Sequence, residues 1–247
     1  MMKRLITTQL ALALSLSIAL FAGNTRNNNS KAANTDAKTT EQLAINENVP
    51  PDDMMSLPFN VVVIRHTVAD YSVWKPFFDA DSVNRNAAGL HLLGLSRGIE
   101  NQNEVEIPFM IEDVQKAKDF TMNPVLKDVM QKGGVTSAPT ILFIKVLRMS
   151  KAIQMPSDYA EVVIHVKDYD SWIKVFDKEG PEMRAKDGIV DGVLAQGIDD
   201  PNLVYLVFKI TDVQQAKAAM MNPARKKLMQ KSGVMGEPVV YYGRDQM

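Results

Sequence analysis

Asp113–Val135 reads DVQKAKDFTMNPVLKDVMQKGGV, and the chain writes it again at Asp212–Val234 as DVQQAKAAMMNPARKKLMQKSGV. Asn123-Pro124 recurs 99 residues later as Asn222-Pro223, and Met130 and Gly134 recur at the same offset as Met229 and Gly233. A match of this length at fixed spacing is an internal duplication, so any fold for this chain must be built from two copies of one unit. Each copy is locally self-explanatory. Asp113 and Asp212 are N-cap residues, and Asn-Pro supplies a cap followed by a proline at the first helical position. Gly133-Gly134 and Ser232-Gly233 then supply the left-handed residue that ends the helix.

The duplication extends outward in both directions. Asn60–Thr67 (NVVVIRHT) is β-branched and apolar, which predicts a first strand. Asp70-Tyr71-Ser72-Val73-Trp74 matches Asp168-Tyr169-Asp170-Ser171-Trp172 at an offset of 98. Ser72 and Asp170 are the expected caps of the helix that follows, which brings Pro76 close to the first turn. Trp74, Phe77 and Phe78 should face a sheet, as should Trp172, Val175 and Phe176. Arg85 and Arg184 are expected to neutralise Asp79 and Asp177. Second strands are predicted at Leu90–Arg97 and Ile189–Gln196, and third strands at Val105–Ile111 and Val204–Ile210. Last strands follow at Thr140–Val146 and Val239–Tyr242. The order in each copy is β-α-β-β-α-β, the split βαβ unit of ferredoxin-like domains. The expected organisation is a signal peptide over 1–22, a disordered linker over 23–57, and ferredoxin-like repeats over 58–148 and 157–247.

Composition narrows the partners. With 28 Lys+Arg against 29 Asp+Glu, the formal net charge of -1 lacks the basic footprint that nucleic acid demands. Cysteine is absent from all 247 residues, which removes disulfides, thiolate metal sites and a cysteine nucleophile together. Lys3 and Arg4 precede the apolar run Leu10–Ala22, the pattern of an export signal. Asn24 stands where a lipidated cysteine would be, so cleavage near Ala22 and export to the periplasm or medium are expected, with no stable membrane anchor. An uncleaved anchor starting at Leu5 is the alternative.

The phrase pattern Asp-Tyr-x-x-Trp, Asp-Pro-Asn (in the second copy), Asn-Pro, Met-Gln-Lys and Gly-Val-x-x-x-Pro resembles small bacterial proteins of the dimeric α/β-barrel superfamily, many of them antibiotic-biosynthesis-monooxygenase-like. The resemblance covers roughly Asn60–Val146 and Tyr159–Tyr242. It implies an α+β fold in which two tandem ferredoxin-like βαββαβ repeats form an intramolecular pseudo-dimeric α/β barrel. Members of that superfamily usually pair two chains; this chain carries both sheets and is expected to be a monomeric pseudo-dimer. The superfamily's chemistry spans cofactor-free monooxygenases, haem-degrading enzymes and isomerases.

No phosphate-binding glycine loop, dinucleotide fingerprint, zinc-protease or serine-hydrolase motif occurs, and no cofactor or metal site is expected. The three histidines, His66, His91 and His165, are scattered. Strand alternation says more. Val204, Leu206, Phe208 and Ile210 form a uniform apolar face, matched by Val105, Ile107, Phe109 and Ile111, and that face should meet the helices. The mixed face then points into the barrel. It brings Arg65 and Glu106 from one copy toward Glu161, His165, Tyr205 and Lys209 from the other. Such groups either fix the docking of the two sheets or line a pocket for a small organic ligand. The expected function is an exported small-molecule-binding protein. The alternative is a cofactor-independent monooxygenase or isomerase acting on a small aromatic or carbonyl compound, with His165 or Glu161 as base. A gap could instead align His66 with His165, which would turn Arg65 outward.

Overall fold

The computed structural model describes residues 56–151 and 157–246. The expected signal peptide and nearly all of the expected linker lie outside the described residues.

The first repeat runs β1 (Phe59–Thr67), α1 (Tyr71–Ala80), α2 (Ser82–Ala87), β2 (Leu90–Leu92), β3 (Ser96–Gly98), β4 (Glu104–Ile111), α3 (Val114–Thr121), α4 (Pro124–Lys132) and β5 (Thr140–Met149). The second runs β6 (Asp158–Val166), α5 (Tyr169–Glu179), α6 (Pro181–Lys186), β7 (Ile189–Gly197), β8 (Leu203–Ile210), α7 (Val213–Met221), α8 (Pro223–Lys231) and β9 (Val234–Asp245). Both follow the βαββαβ order, and every ladder between named strands is antiparallel.

Each repeat's last strand outgrows its own sheet. β5 pairs with β1 and continues along β7 of the second repeat, from Ile144↔Gly197 to Met149↔Val193. β9 pairs with β6 and continues along β3 of the first, from Gly98↔Gly243 to Ser96↔Asp245. With β1 bonded to β4, the strands close into an antiparallel barrel of eight, counting β2 and β3 as one broken strand. Closure leaves no unpaired sheet edge between the repeats. This is the pseudo-dimeric α/β barrel expected from the duplication.

Local chemistry explains where elements depart from expectation. The second strand of the first repeat was expected to be continuous, yet it breaks at Leu93-Gly94-Leu95. Opposite it stands Pro108 of β4, which has no N–H to give to a ladder. The second repeat has Val207 there and tolerates only a register shift between Asp191 and Val193. The α1 cap is Asp70, not Ser72: Asp70 Oδ1 accepts from the amides of Ser72 (2.7 Å) and Val73 (3.3 Å), and Asp168 does the same job for α5. Pro76 therefore sits inside α1. Asp113, Asp212, Asn123 and Asn222 cap as their sequence predicts.

The core has three parts. Val105, Ile107, Phe109 and Ile111 pack under Trp74 of the first repeat's helix layer, and Val204, Leu206, Phe208 and Ile210 pack under Trp172 of the second's. Trp74 stacks on Phe78 at 4.9 Å and Trp172 on Phe176 at 5.0 Å. Phe77, expected to face the sheet, is 44% exposed. Arg85 and Arg184 are buried over Phe78 and Phe176; the paired carboxylates are Asp81 for Arg85 and Asp191 and Glu179 for Arg184, rather than Asp79 and Asp177. The third cluster lies inside the barrel and draws on both repeats, with Val61, Met110 and Ile144 against Val163, Ala195 and Tyr205.

Candidate functional site

Alternation along four central strands decides what enters the barrel. β1 contributes Val61, Val63 and Arg65; β4 contributes Glu106, Pro108 and Met110. β6 contributes Tyr159, Glu161 and Val163; β8 contributes Tyr205, Val207 and Lys209. Arg65 and Glu106 are register partners across the β1–β4 ladder. Arg65 Nη1 reaches Glu161 at 3.1 Å and Glu106 at 3.3 Å, and its Nε lies 3.8 Å from Glu104. Its guanidinium rests 4.8 Å above the Tyr241 ring. Burial opposes the charge of Arg65, but the attraction of Glu161, Glu106 and Glu104 outweighs it and raises its pKa.

Glu106 is 2% exposed. Its Oε1 accepts a hydrogen bond from the Tyr159 hydroxyl at 2.8 Å, and that hydroxyl also bonds the Ser96 hydroxyl. The Tyr205 hydroxyl donates to Glu161 at 3.0 Å. Burial, and then the charge of nearby Glu161, push the Glu106 carboxyl well above the usual carboxylate range, against the weaker pull of Arg65 and Tyr159. Burial pushes the Tyr159 and Tyr205 hydroxyls up as well, so both remain donors.

Tyr159 reaches Ser96 only because β9 lets it pass. Its ring crosses Gly243, where a Cβ would stand 2.6 Å from the tyrosine oxygen. The result is a chain of contacts from Ser96 through Tyr159 and Glu106 to Arg65, Glu161 and Tyr205, spanning both repeats.

Beside this chain lies a cavity of about 220 Å³. Its walls are mostly apolar, with Val61, Val63, Ile144, Val146 and Val207 prominent, and Ser96, Glu106, Tyr159 and Tyr205 supply its polar side. Met149, 42% exposed, and half-buried Ser157 and Lys209 belong to the more exposed part of its lining, against 2% for Glu106. Arg65 and Glu161 stand behind Glu106 rather than in the cavity wall.

The structure thus brings together five of the six residues singled out by alternation. Glu106, Tyr205 and Lys209 line the cavity, and Arg65 and Glu161 support Glu106. His165 does not point inward. Its side chain is 54% exposed and lies 3.6 Å from Asp200. It keeps the parity of Glu161 and Val163, with Ile164 and Val166 still in the helix-side core, but it stands near the end of β6 opposite Leu203, where the β6–β9 ladder shifts from Val163↔Val239 to His165↔Met235, and its ring lies in solvent rather than in the lumen. The alignment is ungapped, since Thr67 pairs with Glu104 as His165 pairs with Leu203. His66 consequently sits on the helix side, 5.6 Å from Trp74, in a void of about 70 Å³. Among the described residues neither of its ring nitrogens has a hydrogen-bond partner, and burial pushes its pKa down to about 4.

Three lumen residues escape the sequence reading. Tyr159 is visible once alternation is carried one step before Glu161. Ser96 is not, because the break at Leu93–Leu95 resets the parity of its strand. Tyr241 is the register partner of Glu161 on β9, whose face sequence alone leaves unassigned.

No protein-family model and no curated protein matches the chain. Solved structures do. A protein of Fusobacterium nucleatum, provisionally named a monooxygenase, aligns at a TM-score of 0.50 with 15% identity, over 78% of this chain and 94% of its own. A ferredoxin-fold protein of Listeria monocytogenes related to antibiotic biosynthesis monooxygenases aligns at 0.45 with 10% identity, over 77% and 95%. A heme-degrading enzyme of the same species aligns at 0.42 with 10% identity, over 74% and 98%. At these identities the likeness is one of fold: the chain has the dimeric α/β-barrel fold, closed within a single polypeptide.

Proposed function

We propose that this protein binds one small, largely apolar molecule inside its barrel. The observation that carries the reading is the 220 Å³ cavity, apolar on most sides and flanked by the buried polar groups of Glu106, Tyr159 and Tyr205. An apolar cavity of about 150 Å³ is enough to admit benzene, so this one has room for a single ring with a short substituent. The volume falls below the roughly 300–1,000 Å³ of drug-sized ligand pockets, which favours a small molecule. The protein is proposed to act as a monomer, since the barrel closes within one chain, and to be exported.

Calorimetric titration with trans-cinnamamide tests this. Saturable binding is expected, and Val61→Phe, which intrudes on the wall, should abolish it while a cooperative thermal transition persists. His165→Ala should leave it unchanged. Absence of binding at millimolar probe, or binding indifferent to Val61→Phe, would overturn the reading.

A second reading, proton transfer to a bound carbonyl oxygen with the α-proton leaving to solvent water, is favoured by the place of Glu106 on the cavity wall, where burial raises its carboxyl above the usual carboxylate range. Exchange of the α-protons of 1-indanone into heavy water, followed by NMR, checks it. The protein should accelerate exchange, and Glu106→Gln should remove the acceleration.

A further inference from the structure

Lys209 has no counterpart in the other half of the barrel. It lies on β8 between Tyr159 of β6 and Val190 of β7, on the inward parity set by Tyr205 and Val207. The equivalent position in the first repeat is Met110, 1% exposed and part of the lumen's apolar cluster. Lys209 is half-buried and lines the cavity, yet among the described residues it makes no ion pair and no hydrogen bond. A cation held against apolar walls without a partner is costly unless something anionic arrives to meet it.

The inner end of the same cavity has the opposite character. Glu106 lines it and Glu161 stands immediately behind. Arg65, the cation there, already faces Glu161, Glu106 and Glu104. An anionic group pushed to that end would meet two carboxyls and no free positive charge. The charge of an amphiphilic ligand is therefore directed outward, to Lys209, and its uncharged body inward.

We infer, resting on the cavity-binding reading above, that the ligand is a small aromatic or alicyclic monocarboxylate. Its ring occupies the apolar lumen, and its carboxylate pairs with the Lys209 ammonium at the solvent side. The charge-assisted contact at Nζ selects for the anion.

The experiment compares trans-cinnamate with trans-cinnamamide, two probes of nearly equal shape, by calorimetry on the wild-type protein at pH 7. Cinnamate should bind about tenfold more tightly, a difference of about 1.4 kcal/mol. The preference should shrink with added salt, because the pair lies near solvent. Lys209→Met, which installs the residue of the first repeat, should bring the two probes to within about twofold of each other, and Lys209→Arg should restore the preference for the anion. Equal affinities in the wild type, or a preference that survives Lys209→Met, would overturn the inference while leaving the cavity reading intact. Failure of both probes to bind would overturn both.

Discussion

The two helix layers and the lumen they enclose have had different histories within one chain. In the helix layers the repeats remain near-copies. Trp74 over Phe78 matches Trp172 over Phe176, Phe109 matches Phe208, and a buried arginine covers the aromatic pair in each. In the lumen almost every matched position has diverged: Val61 against Tyr159, Val63 against Glu161, Arg65 against Val163, Glu106 against Tyr205, Met110 against Lys209. The contrast follows from what each region must do. A helix layer packs against its own repeat, so the same solution works twice. The lumen is shared, and matched residues there meet across one interior. Glutamates at all four positions of the Glu106 and Glu161 sets would bury four like charges; the divergent set instead places Arg65 against both Glu161 and Glu106, and burial raises the Glu106 carboxyl above the usual carboxylate range. His66 is the exception in the helix layers, a polar ring where the second repeat has Ile164.

The most severe test of this contrast is Arg65→Met. It should cost about 3–5 kcal/mol, because it leaves buried carboxyls without their cation. Adding Glu161→Met should recover most of the loss, and chemical denaturation of the single and double variants measures both. If the single variant loses less than 1 kcal/mol, the lumen network is not the asymmetric, mutually dependent element described above.

Phe109→Ala and Phe208→Ala probe the conserved side of the comparison. Each should cost about 3–5 kcal/mol through lost burial and a residual cavity. Because closure ties β5 to β7 and β9 to β3, each variant should still unfold in one transition. Two separated transitions would mean that the repeats are independent despite the shared barrel.

The pH dependence separates His66 from Glu106. His66 has its pKa lowered to about 4, so its neutral form contributes stability above the ordinary histidine pKa of about 6.5. That contribution is lost as pH falls toward 4, by roughly 2 kcal/mol between pH 7 and pH 5. His66→Ile should remove this drop and approach the behaviour of Ile164. Glu106 works in the opposite direction. Its raised pKa favours the fold below the usual carboxylate range, and the benefit is lost as pH rises from there. Glu106→Gln should gain on the wild type as pH increases through that window. Thermal melts from pH 4 to pH 9 resolve both slopes.

The smallest effect is expected at His165. With its ring 54% exposed and only Asp200 nearby, His165→Ala should change stability by less than about 0.5 kcal/mol. A larger loss would place His165 in a role that its exposure contradicts.

The order of elements, the caps at Asp113, Asn123, Asp212 and Asn222, and the division of β4 and β8 into helix-facing and inward faces were all legible in the sequence. These features depend on local periodicity and on residues a few positions apart, and the duplication let each copy check the other. From the inward face came Arg65, Glu106, Glu161, Tyr205 and Lys209, and the same rule wrongly carried His165 with them. Alternation assigns a face but not a depth: His165 keeps the parity of Glu161 and Val163 but lies near the end of β6, where its ring is exposed. The path of Tyr159 over Gly243 to Ser96 and Glu106, the raised pKa of Glu106, the burial of His66 and the volume of the cavity were decided by the tertiary structure alone. Each of them depends on bulges, on strand exchange between repeats, or on charges that come together only when the barrel closes.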